Sequence, residues 1–237
     1  MKLCIDAGHG GNDPGTSAAG IQEKDLTLSI SLYMAKRAQE LGFEVFLTRD
    51  EDKGLTSTAR SNIVMNSGAK ICLSNHINAG KGTGAEVIHS LHSDGKLAKA
   101  ILESIKSTRM PVRRVFSKES TTQPGKDYYF MHRLTYPVVP ETLIIEYGFI
   151  DNPSDRARLA DPEMQKQLVE AVLKAVCVHV GMPYLAPNTI VQPNWKEQIM
   201  QEAIELGLIE AGKHQADEHA SKWFVCAVVM NALKKLN

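Results

Sequence analysis

Strand patterns and helix patterns alternate along most of this chain, and that alternation constrains the fold more than any other feature. Residues 2–6 form a short apolar run, and residues 25–41 carry apolar side chains at helical spacing before Gly42 ends the pattern. Further strands are predicted at 43–48, 70–75, 85–90 and 142–146, and further helices at 55–66, at 94–108 with Asp94 as N-cap, and at 162–180. Such alternation predicts an α/β fold, with an open, mostly parallel or mixed twisted sheet covered by helices on both faces.

The pattern changes toward the C-terminus. Residues 183–194 hold three prolines and predict a linker. Residues 195–206 and 217–236 form two helical patterns, which predict a small all-helical module over 195–237. Two helices of this size enclose little core. The module must therefore dock on the domain formed by residues 1–182, pair with a second copy as a homodimer, or present its apolar face to a ligand.

Composition excludes several classes of protein. The 27 basic and 27 acidic residues cancel, so the positive charge of a dedicated nucleic-acid-binding protein is missing. The longest apolar runs, such as residues 224–230, are far shorter than the roughly 20 residues that cross a bilayer, and the N-terminus shows no signal peptide. We therefore expect a soluble protein without membrane insertion. The four dispersed cysteines predict buried, reduced thiols at Cys4, Cys72, Cys177 and Cys226.

A glycine-rich stretch, DAGHGGNDPG, follows the first predicted strand and contains His9. It could be a tight turn, a phosphate cradle or one corner of a metal site. Neither G-x-G-x-x-G nor G-x-x-x-x-G-K-[ST] occurs, and no helix begins directly after Gly15, so the phosphate interpretation is the weakest. A histidine at the carboxyl end of a strand is well placed to reach the crevice where open sheets bind ligands.

Three further residues carry chemistry at the ends of sheet-associated elements. Glu23 precedes a predicted helix, His76 ends the strand KICLSNH, and Glu146 ends the strand that begins at Thr142. Two imidazoles and one carboxylate are a recognised zinc set with a fourth position open for water, and a second carboxylate could act as general base. The spacing alone is weak support, because no short zinc motif such as H-E-x-x-H occurs.

Other residues have weaker claims to a site. His89 and His92 are spaced i, i+3, which would need a helix to share a face. Glu141 precedes Glu146 by five residues, so strand alternation points it to the opposite face, and it stays a backup acid. Residues 110–126 lack periodicity and predict a long loop. The remaining histidines and both tryptophans are predicted to be packing or surface residues, although the tryptophans could stack sugars: His132, His179, His214, His219, Trp195 and Trp223.

Several motifs together resemble one enzyme family. DAGHGGNDPG, QEKDLTL, LTRD, TARSN, CLSNHINAG and ETLIIEYGFIDNPSDRARL occur in this order within residues 1–182. Together they resemble the zinc-dependent N-acetylmuramoyl-L-alanine amidases of the Amidase_3 type. The resemblance implies that His9, Glu23 and His76 bind Zn²⁺ and that Glu146 is the catalytic glutamate.

The resemblance has further consequences and some departures. Arg49 and Arg60 fall where the family tends to carry arginines, and we expect structural ion pairs from them. Asn75 stands where the family more often has an apolar residue, a departure beside the second histidine ligand. Residues 110–133 match the family poorly, and we expect that segment to shape which peptide stems fit.

The implied reaction is hydrolysis of the amide bond between N-acetylmuramic acid and L-alanine in bacterial peptidoglycan. A catalytic domain followed by a small module, without a secretion signal, favours a phage endolysin. It would be made in the host cytoplasm and act on the wall after membrane permeabilisation, with a C-terminal module that binds the wall or dimerises. A sporulation or wall-remodelling amidase of the bacterium is the alternative with the same chemistry. A catalytically dead wall-binding protein and a zinc exopeptidase stay open as different classes.

Overall fold

The structure is a computed structural model that describes residues 1–187 and 203–210. Contacts divide the chain into two compact units, Met1–Ala186 and Pro187–Asn237. The elements of the first unit follow in chain order: β1 Lys2–Ala7, β2 Ser17–Ala18, β3 Ile21–Gln22, α1 Glu23–Glu40, β4 Glu44–Leu47, α2 Ser57–Asn66, β5 Ile71–Asn78, β6 Ala85–His89, α3 Lys96–Lys106, β7 Val112–Phe116, α4 Phe130–Thr135, β8 Glu141–Phe149, α5 Pro153–Leu159 and α6 Pro162–His179.

Six strands form one mixed sheet in the order β4-β1-β5-β8-β6-β7, and β2 pairs with β3 separately. All neighbours in the large sheet run parallel except β6 and β8, which are antiparallel. Parallel strands need a crossover connection. Helix α1 connects β1 to its neighbour β4, and α2 connects β4 to β5, which lies on the other side of β1. The central strands are covered on both faces, which explains their near-continuous apolar runs. The predicted α/β fold with a mostly parallel sheet is confirmed.

Helices cover both faces of this sheet. On one face α1 and α3 pack against the strands, and α6 packs against both of these helices. The α1–α6 contact is fixed by Ser29 Oγ, which donates to Gln165 Oε1 at 2.8 Å, and by Arg37 Nε, which donates to Glu170 Oε1 at 2.6 Å. On the other face α2 and α4 enclose an apolar cluster: Cys4, Val64, Ala69, Cys72, Ile88, Met131, Val139 and Ile144.

The face covered by α2 and α4 changes from apolar to polar toward the carboxyl ends of β1, β5 and β8. Successive side chains of a strand point to opposite faces, so residues two apart share one face. The residues that continue the apolar cluster along these strands are Asp6, Ser74, His76 and Glu146. A polar site therefore begins where the apolar core ends.

Two helices begin at residues other than the predicted ones. Helix α1 begins at Glu23, so this residue is helical instead of preceding the helix. Helix α3 has Gly95 at its N-cap, with a φ of 68°, where Asp94 was predicted. Glycine adopts this left-handed conformation without steric cost, which lets it take the capping position. The Asp94 carboxylate still accepts the Lys96 N–H at 2.9 Å.

Three strand predictions also need correction. Strands β5 and β8 extend beyond the predicted ends, so His76 and Glu146 lie inside strands instead of ending them. The loop predicted at 110–126 contains β7. This strand lies at the edge of the sheet and exposes two of its five residues, Arg113 and Arg114. Because only one neighbour covers it, its sequence lacks the apolar alternation of a half-buried strand.

The predicted burial of cysteine is confirmed for Cys4, Cys72 and Cys177, which are free thiols. Within the described residues, no helix is long and apolar enough to cross a membrane. Several predictions lie outside the described residues, including most of the linker at 183–194 and of the module at 195–237, so the domain boundaries stay a prediction. The individual residues concerned are Cys226, His214, His219, Trp195 and Trp223.

Candidate metal centre and active site

The three residues predicted as metal ligands meet at the carboxyl end of the sheet. His9, Glu23 and His76 each offer one ligand atom, and these atoms all lie within 4.8 Å of one another. Glu23 Oε1 is 3.2 Å from His9 Nε2 and 3.0 Å from His76 Nδ1. Both imidazoles are partly open to solvent, whereas the Glu23 side chain is 2% exposed. The group therefore has a buried carboxylate at its base and an accessible side.

His9 lies on a tight turn that directs its ring toward Glu23. Its φ is 60°, the left-handed region that costs an L-residue about 1–2 kcal/mol. Reciprocal backbone hydrogen bonds between Gly10 and Asp13 close the turn, and Arg60 Nη2 donates to the His9 carbonyl at 2.6 Å. His9 Nδ1 lies 2.8 Å from Asp13 Oδ2. A carboxylate can only accept, so Nδ1 carries a proton there, and Nε2 is the ring nitrogen that faces Glu23.

Glu23 is held from three sides. Its Oε1 accepts the Ile77 backbone N–H at 2.9 Å, and its Oε2 accepts the Thr16 backbone N–H at 2.9 Å and hydroxyl at 3.1 Å. Gly15 lies against this carboxylate with a φ of 64°, and a Cβ there would be 2.5 Å from Oε2. A side chain at Gly15 would therefore displace Glu23 as well as strain the turn.

His76 likewise requires a residue without a side chain at Gly8, which directly follows the neighbouring strand β1. A Cβ built on Gly8 would lie 2.4 Å from His76 Cε1. The glycines of DAGHGGNDPG thus do two things, since they permit the left-handed turn and they leave room for the imidazole and carboxylate groups. The tight turn and the candidate metal corner are one feature of the structure.

Glu146 lies next to the ligand group, directly beside His76 in the parallel register of β5 and β8. Its Oε2 is buried and has no hydrogen-bond partner among the described residues. Burial raises the pKa of Glu146 to about 7, although the charge on His76 opposes the shift. A carboxyl group with a pKa near neutral and a free oxygen can both accept and donate a proton.

The pKa shifts of the ligand group show strong mutual attraction. Burial lowers the pKa of His9, but the hydrogen bonds and charges of Glu23 and Asp13 outweigh it and raise this pKa to about 9. Burial likewise raises the pKa of Glu23, but His76 and His9 outweigh it and hold this pKa well below its usual range. The carboxylate thus stays ionised and favours positive charge between the two rings.

Two buried arginines brace the turn that carries His9. Arg60 forms an ion pair with Asp6, 2.7 Å from Nη1 to Oδ1, which confirms the structural ion pair expected for it. Arg49 differs, because its guanidinium donates to the backbone carbonyls of Ala7, Gly8 and Lys24 at 2.8–3.0 Å. Within the described part of the chain, Arg49 therefore satisfies backbone acceptors at the start of the turn and forms no ion pair with a carboxylate of the type expected for it.

The unusual residue beside the second histidine points away from the site. Asn75 is fully buried on the face covered by α1. Its Nδ2 donates to Ser31 Oγ at 2.8 Å, and its Oδ1 accepts the Tyr147 hydroxyl at 2.9 Å. Neighbouring residues of a strand face opposite ways, so the Asn75 side chain lies on the opposite face of the sheet from His76.

The weaker candidates lie away from the ligand group. His89 Nδ1 is 2.9 Å from the Ser90 carbonyl, and His92 stacks on Tyr136 with 4.3 Å between ring centroids. Glu141 accepts the Ser93 hydroxyl at 3.2 Å. The expected packing or surface positions are confirmed for the two other described histidines, since His132 is buried and His179 is exposed.

The sequence did not single out Asp13, Thr16 or Glu86. Asp13 follows His9 by four residues, a spacing that could have indicated a carboxylate partner for an imidazole on a turn. Glu86 is the antiparallel partner of Glu146. Only the strand order reveals that pairing, because the two residues are 60 positions apart.

The family comparison decides the enzyme class. The model of the Amidase_3 family, described as N-acetylmuramoyl-L-alanine amidase, matches residues 3–178. The chain belongs to the N-acetylmuramoyl-L-alanine amidase family. The predicted enzyme class, an amidase, is thereby confirmed.

The chain is also similar to individual N-acetylmuramoyl-L-alanine amidases. The sporulation-specific N-acetylmuramoyl-L-alanine amidase of Bacillus subtilis is 35% identical over 162 residues, which cover 67% of this chain and 60% of that protein. The germination-specific N-acetylmuramoyl-L-alanine amidase of the same organism is 27% identical, and the alignment covers 73% of this chain and 77% of that protein. The structure of the amidase AmiC2 of Nostoc punctiforme superposes with a TM-score of 0.67 at 26% identity, over 76% of this chain and 97% of that chain.

Proposed function

We propose that this amidase is zinc-dependent and hydrolyses the amide bond between the lactyl group of N-acetylmuramic acid and L-alanine in peptidoglycan. The observation that carries the proposal is the group of three ligand atoms within 4.8 Å, with Glu146 beside His76. Membership of the amidase family supports the bond and the substrate class. Two histidines, one carboxylate and a separate free carboxyl group support the metal-dependent mechanism.

The donor set fits a zinc ion. Two imidazole nitrogens and one carboxylate oxygen are common zinc ligands in catalytic sites, which leave a further position open. His9 Nε2, Glu23 Oε1 and His76 Nδ1 would hold the ion, because these atoms face one another. Asp13 would orient His9 from the far side of its ring, as carboxylates commonly do for metal-binding histidines.

A zinc ion bound there would polarise the substrate carbonyl and lower the pKa of a water molecule toward about 7. Glu146 would take a proton from the attacking water and deliver it to the departing nitrogen of L-alanine. Burial raises the pKa of Glu146 to about 7, and the positive charge of His76 and His9 works against this rise. Positive charge beside Glu146 therefore favours its ionised carboxylate, the form that accepts a proton. The free Oε2 gives that base an atom with no competing hydrogen bond among the described residues.

Muropeptide analysis tests the reaction. Isolated wall is digested, and mass spectrometry measures new L-alanine amino termini for the wild type, Glu146→Gln and Glu141→Gln. Glu141 is a matched control, because it lies on the same strand and contacts Ser93 instead of the site. We expect Glu146→Gln to keep its zinc and lose about 10²–10⁴-fold in rate. The proposal fails if the wild type releases no such termini or if Glu146→Gln retains full turnover.

The rival classes make different predictions. A catalytically dead wall-binding protein would show no zinc-dependent turnover after chelation and add-back, although the presence of all four site residues already disfavours it. A zinc exopeptidase would cleave ordinary peptides in preference to muropeptides. A panel of both substrate types separates these cases.

The biological role is a further proposal. The names of the sporulation-specific and germination-specific relatives support wall remodelling by a bacterium. Host lysis by a phage stays a prediction, which requires that added protein clears suspensions of intact sensitive bacteria. Wall attachment through residues 195–237 also stays a prediction. A chain that ends at Pro187 should then bind intact walls more weakly than the full chain.

A further inference from the structure

A row of ionisable side chains crosses the sheet outward from the ligand group. His76 of β5 is beside Glu146 of β8, Glu146 is opposite Glu86 of β6, and Glu86 is beside Arg114 of β7. Partners directly opposite each other on neighbouring strands lie on the same face of a sheet. The site therefore continues across two further strands, and it ends at the arginines of the edge strand.

A β-bulge brings a second arginine into this row. The register of β6 and β7 pairs Ala85 with Val112 but Glu86 with Arg114, so Arg113 is an extra residue in β7. In a regular strand Arg113 and Arg114 would point to opposite faces. The bulge removes that alternation, and both guanidinium groups reach Glu86. Bulges commonly re-aim a side chain in this way beside active sites.

Glu86 fixes both arginines in place. Its side chain is 2% exposed, and its Oε1 accepts from Arg113 Nη1 and, at 2.7 Å, from Arg114 Nε. Its Oε2 accepts from Asn78 Nδ2 at 2.9 Å. The guanidinium carbons also lie over aromatic rings, Arg113 at 5.6 Å from the centroid of Phe149 and Arg114 at 4.2 Å from that of Phe116. The two arginines are therefore held in one arrangement before any ligand binds.

The arrangement leaves one positive charge and several donors unused. Two guanidinium groups face one carboxylate, and the arginine side chains are 45% and 52% exposed. Among the described residues, Arg113 uses Nη1 and Arg114 uses Nε for hydrogen bonds. Arg113 thus keeps its Nε–Nη2 edge, and Arg114 keeps its Nη1–Nη2 end. Each is a pair of parallel donors that matches the two oxygens of a carboxylate.

The spacing of the strands gives the distance from the reacting bond. Neighbouring strands lie about 4.8 Å apart, so Arg114 is about 10 Å along the row from Glu146. An extended peptide advances about 3.3 Å per residue. An anionic group bound by the two arginines would therefore belong to the second or third residue after the cleaved bond.

We propose that Arg113 and Arg114 form a carboxylate-binding subsite for the peptide part of the substrate. The proposal rests on the proposed amidase function and adds its specificity, because the subsite selects peptides with a free carboxylate near the second residue. The chemical class is an N-acetylmuramoyl peptide with such an acidic residue. Glu86 is the positioning residue that orients the two guanidinium groups.

Two synthetic compounds that differ in one group test the subsite. The first is N-acetylmuramoyl-L-alanyl-D-glutamate with its γ-carboxylate amidated, which leaves the α-carboxylate as the free acid, and the second has the α-carboxylate amidated as well. Calorimetry measures the dissociation constant of each with the zinc-loaded full chain that carries Glu146→Gln, so that cleavage does not interfere. We expect the free carboxylate to bind about tenfold or more tightly than the amide, the range of a charged hydrogen bond.

Arginine variants in the same background identify the source of this preference. Arg113→Gln and Arg114→Gln should each reduce the ratio of the two dissociation constants, and the double variant should abolish it. Arg114→Lys keeps a cation beside Glu86 but loses the paired donors, so it should also reduce the ratio. Arg109→Gln is the control, because Arg109 is a 69% exposed side chain that pairs with Asp161. It should keep the wild-type ratio.

The ratio separates a binding role from a folding role. Damage to the fold weakens both compounds together and leaves their ratio unchanged. The subsite is overturned if the double variant retains the preference, if the parent shows none, or if Arg109→Gln abolishes it equally. A wild type that binds with the expected ratio but releases no L-alanine amino termini from isolated wall would refute the proposed function and leave the subsite standing.

Discussion

Replacing Asp6 with asparagine should destabilise the fold strongly, because Asp6 neutralises a buried arginine beneath the site. Asp6 is fully buried, and its oxygens accept from Arg60 at 2.7 Å, Thr48 at 2.7 Å and Ser74 at 2.6 Å. Arg60 is itself 5% exposed and remains charged in the variant. Removing one partner of a buried ion pair costs about 3–5 kcal/mol, since the remaining charge is uncompensated.

This free energy translates into a measurable melting shift. For domains of about 150–250 residues, 1 kcal/mol shifts Tm by about 2–4 °C. Asp6→Asn should therefore lower Tm by roughly 6–20 °C in thermal unfolding followed by circular dichroism. The control is Glu44→Gln, which breaks the Lys2–Glu44 pair at 3.7 Å, whose side chains are 44% and 61% exposed. An exposed pair contributes about 0–1 kcal/mol, so this control should melt within about 4 °C of the wild type.

A double variant tests the reasoning behind that magnitude. If the cost comes from the isolated charge of Arg60, then Asp6→Asn with Arg60→Met should lose less stability than the sum of the two single changes. Two results would refute the argument. One is an Asp6→Asn melting temperature as close to the wild type as that of Glu44→Gln, and the other is full additivity in the double variant.

Three further predictions concern the metal and the pH. Chelation should lower Tm and added zinc should restore it. At a free zinc concentration of 100 times Kd, bound zinc should add about 2.7 kcal/mol to the free energy of unfolding. An unchanged Tm would contradict a zinc site. Asp13→Asn should weaken zinc about 10–100-fold in competition with a chromogenic chelator, whereas Asp50→Asn, at an exposed carboxylate that pairs with Lys53, should not. Burial raises the pKa of Asp6, but Arg60 and Ser74 outweigh it and hold this pKa below 3.8. The stabilisation from ionised Asp6 is therefore complete above pH 3.8 and is lost as the pH falls through the folded-state pKa. Urea unfolding of the wild type and Asp6→Asn should show their difference shrinking in that acidic range, and a constant difference would count against the assignment.

The sequence pattern, together with the family resemblance, predicted that His9, Glu23 and His76 meet at one edge of the sheet, but it did not predict the contacts that orient them. His9, Glu23 and His76 each belong to a motif that adjoins a strand or helix pattern, and the open-sheet expectation brings such positions to one edge. The hydrogen bond from His9 to Asp13 depends on a left-handed turn at a non-glycine residue. Local propensity disfavours that conformation, so the pairing could not be derived from the sequence.

The grouping of Arg113, Arg114 and Glu86 could not be predicted from the sequence either, for a different reason. Arg113 and Arg114 lie in a segment without periodicity, and a regular strand would separate them onto two faces. Only the bulge brings both to Glu86, and only the strand order brings Glu86 to Glu146. Register between distant segments is a property of the assembled sheet, and pattern within each segment does not specify it.

The edge position of β7 also exposes its residues to different constraints on substitution from those on the central strands. His76 and Glu146 belong to strands with a neighbour on each side, so substitutions around them disturb two contacts at once. In the described part of the chain β7 pairs with β6 alone, so a substitution in β7 disturbs one strand pairing instead of two. If Arg113 and Arg114 form the proposed subsite, selection can change which peptides are accepted at the edge while the residues on the central strands stay the same.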